Sequence, residues 1–162
     1  MGDAAIPTLY EWMGGMPAIE RLVDEFYRRV PNDPVLGPVF AHMGPAHVKH
    51  VATFVAEVFG GPKEYSRNLG GHANMIRHHI GRALGEEQRN RWMQVLLASA
   101  DALGIPNDPE FRSALVGYLE WGSRLAVINS QSGTTVVEEQ PMPFWGWGET
   151  KGPYKPKSVK KL

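Results

Sequence analysis

The sequence predicts an all-α protein, and three observations predict it. Apolar residues recur at helical spacing through most of the first 129 positions, period-2 alternation is scarce, and the apolar stripes are separated by glycine pairs and prolines. In chain order, Thr8 and Glu11 stand at capping-box spacing and open a short helix that Gly14-Gly15 stops. Pro17 suits the first turn of a second helix, in which Ile19, Leu22, Val23, Phe26, Tyr27 and Val30 form one apolar stripe. Asn32-Asp33-Pro34 is a turn, and Val35 to Phe40 a short apolar connector. A third helix starts at Pro45, carries His47, Val51, Phe54, Val55 and Val58 on one face, and ends at Gly60-Gly61-Pro62. Tyr65 to Gly71 reads as irregular, and a short helix from Ala73 to His79 follows. Gly85 opens a long helix to Leu103, with Glu86 and Glu87 at the positive end of its dipole. Asp108-Pro109 caps and starts the last helix, which carries Leu115, Leu119, Gly122 and Ala126. The body therefore reads as five or six helices.

Beyond residue 130 the character changes, which divides the chain into a helical domain, 1–130, and an extension, 131–162. Pro141 to Gly148 is rich in proline and glycine yet holds Phe144, Trp145 and Trp147, rings that are more stable against the body than in water. From Lys151 the composition switches to KGPYKPKSVKKL, five lysines without an acid, a segment expected to be mobile.

Composition narrows the function. The 162 residues carry 17 basic and 17 acidic side chains, a balance that argues against nucleic acid as partner. The absence of cysteine removes disulfides, thiolate zinc sites, cysteine-ligated iron–sulfur clusters, covalently attached haem and any cysteine nucleophile. No apolar run approaches the roughly 20 residues that span a bilayer. The opening MGDAAIPTLY lacks the regions of a secretory signal, and Ile6 stands where myristoylation after Gly2 wants Ser or Thr. A soluble, cytoplasmic protein without a membrane partner is the expectation.

The histidines are the informative residues, and all six lie between His42 and His79. His47 and His50 are three apart on a helix, so they either clasp a metal or divide between interior and solvent. His78 and His79 are adjacent and point about 100° apart on a helix, so at most one faces a given pocket. Phe26, Tyr27, Phe40, Val51, Phe54, Val55 and Trp92 line an apolar slot between helices; they either pack as a core or enclose a flat apolar cofactor held by one imidazole.

Phe26-Tyr27, the corner Gly60-Gly61-Pro62 followed by Tyr65-Ser66, the segment Gly71-His72 to Arg77-His78-His79, and Trp92 together resemble the truncated haemoglobins, most nearly their group II. In that family a Gly-His pair is followed by the proximal haem histidine seven positions on, and a tryptophan stands thirteen further; from His72 these intervals land on His79 and Trp92. The resemblance covers roughly residues 8 to 129. It implies a two-over-two helical sandwich that binds haem b (iron protoporphyrin IX) and takes O2, NO, CO or a similar ligand at the iron.

Residue by residue, the resemblance makes His79 the iron ligand. It assigns Tyr27, His47, Val51 and Trp92 to the distal ligand site. Contacts to the cofactor fall to Phe40, Phe54, Val55 and Tyr65, and to Met75, Arg77 and His78. His78 stands where the family commonly has an arginine, and Arg77 is the candidate substitute for the propionate contact. Gly81 and Arg82 replace a usual proline and aromatic. The position of His47 often holds a small residue in group II.

Function then divides into an oxygen-binding protein, a haem-dependent NO dioxygenase or peroxidase-like enzyme, and a cofactor-free helical interaction module. The enzyme would need a separate reductase, because the chain lacks a dinucleotide-binding glycine fingerprint. A histidine-only zinc hydrolase is a weaker option, since no carboxylate stands at the spacing of zinc helices. A monomer or homodimer fits any of these.

Overall fold

The computed structural model describes residues 5–154, and among them there are seven α-helices and no strand. The helices are α1 Leu9–Met13, α2 Gly15–Arg29, α3 Pro45–Val58, α4 Glu64–Asn68, α5 Gly71–Arg77, α6 Glu86–Ala102 and α7 Pro109–Ser130. The pair α2 and α3 packs as one layer against the pair α6 and α7, with α2 crossing α6 between them. The core comes from the stripe on α2 (Ala18, Ile19, Leu22, Val23) meeting Phe54 and Val58 of α3 and Phe111, Leu115 and Leu119 of α7, while Phe26 packs in a second cluster with Val30, Leu36 and Val95.

Thr8 caps α1 as its spacing predicts, accepting from the Glu11 amide at 3.0 Å while the Glu11 carboxylate turns back to the Thr8 amide. The first turn of α7 likewise rests on Asp108, which accepts from the Phe111 amide at 3.1 Å. The glycine corner after α3 has a steric cause. A Cβ on Gly61 would stand 2.7 Å from the Tyr10 ring and 2.8 Å from the Ala56 carbonyl oxygen, and Gly60 adopts φ +93°. That bare backbone lets α1 approach closely enough for the Tyr10 amide to donate to the Phe59 carbonyl at 2.9 Å.

Three expectations are corrected. Tyr65 to Gly71 is not irregular throughout: Glu64–Asn68 forms α4, steadied because the buried Glu57 carboxylate accepts from the amide and hydroxyl of Ser66. The next helix starts earlier and stops earlier than the predicted 73–79, so His79 sits in the turn after α5 rather than on it. Among the described residues the α-helices number seven rather than five or six.

The aromatic extension docks on the body. The Trp145 amide donates to the Val58 carbonyl at 2.8 Å, the Trp147 indole donates to the Pro7 carbonyl at 2.7 Å, and the Trp145 ring meets those of Tyr118 and Trp121 at 5.7 and 5.8 Å. The expected mobility of the lysine-rich end falls largely on residues 155–162, and the membrane-signal reading partly on residues 1–4; both stretches lie outside the described residues. Among the described residues no helix is long and apolar enough to cross a membrane.

Candidate functional site

A cavity of about 240 Å3 lies between the two helical layers. One wall is Phe26 and Tyr27 of α2 with Phe40 and Met43 from the connector. The next is His47, Val51, Phe54 and Val55 of α3. Met75, His78 and His79 close another side, Trp92 and Leu96 of α6 and Leu119 and Trp121 of α7 the rest.

His79 is tied down from behind. Its Nδ1 lies 2.9 Å from the Met75 carbonyl oxygen. A carbonyl only accepts, so Nδ1 carries the proton and Nε2 keeps a bare lone pair. Burial pushes this imidazole below its ordinary range, which favours the neutral form despite the Met75 bond working the other way. A neutral imidazole with one nitrogen oriented by a carbonyl is the state in which histidine ligates a metal.

A group of polar tips also reaches this cavity. Tyr27 is wedged edge-on between Phe26 and Phe40, at 5.1 and 5.6 Å between ring centroids, and its hydroxyl lies 2.9 Å from His47 Nε2. Burial pushes the phenol upward, so it stays protonated, and pushes His47 downward, with His78 and Arg82 adding to that second shift. The Trp92 indole lines the same cavity. The rim carries Arg82 and His78, linked by the Arg82 guanidinium donating to the His78 carbonyl.

These residues fit a flat iron porphyrin: apolar walls for the ring, a neutral imidazole for the metal, hydrogen-bond donors for a small ligand, and a cation at the rim for carboxylates. They do not fit a bare metal ion, because among the described residues no three His, Asp or Glu side chains converge.

Of the twelve residues that the resemblance assigns to the iron, the ligand site and the cofactor contacts, ten share the cavity: Tyr27, Phe40, His47, Val51, Phe54, Val55, Met75, His78, His79 and Trp92. Two do not. Tyr65 is buried behind Phe54, 5.0 Å between ring centroids, and receives a bond from Asn74 at 3.2 Å. Arg77 points outward to Glu138 of the extension at 3.5 Å. Arg82 and Trp121 also form part of the cavity wall, although neither belongs to the apolar stripes or family intervals that mark the other residues.

The model of the family described as bacterial-like globin matches residues 8–120. The chain belongs to the bacterial-like globin family. It is similar to the group 1 truncated haemoglobin of Nostoc commune, 49% identical over 61 residues that make up 36% of this chain and 50% of that one. It is also similar to the group 2 truncated haemoglobin of Bacillus subtilis, 27% identical over 73% of this chain and 87% of that one. The match to the Nostoc commune protein therefore spans only half of that relative's length.

Solved structures agree. The haemoglobin of Chloroflexus aurantiacus superposes with a TM-score of 0.66 at 32% identity, over 74% of this chain and 97% of the other. A truncated oxygen-avid haemoglobin from Bacillus subtilis superposes with a TM-score of 0.66 at 28% identity, over 75% of this chain and 99% of the other. The predicted truncated-globin fold is borne out. Membership makes this globin a haem-binding protein, and globins take small diatomic ligands such as O2.

Proposed function

We propose that this globin binds haem b with His79 as the iron ligand and takes O2 in the space beside Tyr27 and Trp92. The haem supplies an iron with one open coordination position, at which a diatomic molecule binds reversibly. The observation that carries the reading is the His79 imidazole, protonated on the nitrogen facing Met75 and bare on the other, in a cavity with apolar walls. Val51, Phe54 and Val55 exclude water from the slot, and Arg82 with His78 meets carboxylates at its mouth.

Bound dioxygen carries partial negative charge, so the phenol of Tyr27 and the indole N–H of Trp92 favour it by donation, each by about 0.5–1.5 kcal/mol. Carbon monoxide is less polar when bound and gains less from both. This selectivity points to slow oxygen release, and the resemblance to an oxygen-avid haemoglobin of Bacillus subtilis supports it. The test is an absorption spectrum of the ferric, ferrous and CO-bound forms for the parent, His79→Ala and His78→Ala. The reading expects the ferrous-CO spectrum to survive His78→Ala and to be lost or changed in His79→Ala; the reverse pattern overturns it.

A further inference from the structure

The pair Tyr27–His47 leaves open which partner donates, and the answer decides what the cavity presents to a ligand. A phenol has one proton. If Tyr27 donates it to His47 Nε2, only oxygen lone pairs remain to face the cavity, and they repel a ligand with negative partial charge. If His47 donates Nε2–H to the phenol oxygen instead, the phenol proton is free to turn inward.

Several features of the site favour the second arrangement. His47 is only half-buried, and its Nδ1 has no protein partner among the described residues, so water can donate to it. Imidazole in water prefers the tautomer with its proton on Nε2. The ring stands in the first turn of α3, where Pro45 opens the helix and the His47 amide donates to the Gly44 carbonyl at 3.1 Å. Phe26 and Phe40 prevent the tyrosine from swinging away. A chain running His47 N–H to phenol O–H to ligand also polarises in one direction, which strengthens each bond.

We propose that His47 is a positioning residue: it donates through Nε2 to the Tyr27 oxygen and so aims the phenol proton at a polar diatomic ligand, without touching that ligand itself. This deepens the haem reading and rests on it. The consequence is selectivity between gases. Removing His47 costs bound O2 the aimed proton, while CO, which gains little from it, is nearly unaffected. A histidine that merely blocks the entrance would change both gases alike.

The experiment compares the haem-loaded parent with His47→Leu, His47→Gln, Tyr27→Phe and the double variant Tyr27→Phe/His47→Leu. O2 and CO dissociation are followed by stopped flow, the CO stretch by infrared, and the His47 tautomer by 15N NMR of the diamagnetic CO complex. His47→Leu should release O2 about 3- to 10-fold faster, the factor that one hydrogen bond supplies. In the Tyr27→Phe background the same change should alter the rate by less than a factor of about 2, because coupled residues are not additive. His47→Gln keeps an N–H donor and should restore most of the parent rate. NMR should find the proton on Nε2, and His47→Leu should shift the CO stretch as Tyr27→Phe does.

An equal effect of His47→Leu with and without the Tyr27 hydroxyl would overturn the proposal, as would a proton on Nδ1 or equal acceleration of both gases. If the parent chain refuses haemin, the reading beneath falls and this proposal with it. If the parent binds haem and the two effects simply add, only the role of His47 fails.

Discussion

Trp145→Ala tests whether the extension is part of the fold. Its indole lies against Tyr118, Trp121 and the bare face of Gly117, while its amide donates to Val58. Truncating a fully buried tryptophan costs ~3–5 kcal/mol; Trp145 remains partly exposed, which lowers the expected loss to ~2–3 kcal/mol. For a chain of this length each kcal/mol moves Tm by roughly 2–4 °C, so the variant should melt roughly 4–12 °C below the parent. The neighbouring Phe144 is 70% exposed and serves as the internal control. Phe144→Ala should stay within about 0.5 kcal/mol of the parent. Thermal unfolding followed by far-ultraviolet circular dichroism reads both. Equal melting of Trp145→Ala and the parent, or a larger loss for Phe144→Ala, would refute the docking argument.

Three further outcomes follow from the same structure. Gly61→Ala forces a Cβ against Tyr10 and the Ala56 carbonyl and should cost about 1–3 kcal/mol, read as a lower denaturant midpoint with unchanged slope. Trp92→Phe keeps the bulk of the ring and removes its N–H, so oxygen should dissociate about 3- to 10-fold faster in stopped flow, with CO nearly unchanged. In the haem-free chain, to which this prediction applies, His47, His72 and His79 are each held below the ordinary imidazole value of 6.5, mainly by burial. The unfolded chain therefore binds more protons just below that value; their contribution is fully present above it and is lost as pH falls through the depressed folded values. Melting temperatures between about pH 7.5 and about pH 5 should decline toward acid, and a rise would contradict the assignment.

Helix starts were legible where the signal is local. Thr8, Pro45 and Asp108 each carry their cap or first-turn chemistry in neighbouring residues, and α1, α3 and α7 begin where these predict. The short helix α4 was not legible, because it is steadied by Glu57, nine residues before Ser66. The end of α5 depends on tertiary packing, and its last two predicted residues fall into a turn. The cavity followed the same division. The apolar pattern placed Tyr27 and Trp92 in one slot but left His78 and His79 undecided; the resemblance to the truncated haemoglobins added His47 and His79 to the group. Arg82 and Trp121 reach the wall through a loop and the far layer, which no periodicity encodes. Arg77 was expected at the cofactor, yet the extension captures it through Glu138, a contact 61 residues away in sequence. The aromatic content of the extension announced that it packs; its path along Pro7, Val58 and Tyr118 needed the structure.

The absorption spectrum of ferrous protein under CO, for the parent and for His79→Ala, tests the central claim most directly. A sharp Soret band in the parent that is displaced or absent in the variant is the predicted result. An identical band in both, or a parent chain that stays colourless after addition of haemin, would contradict it.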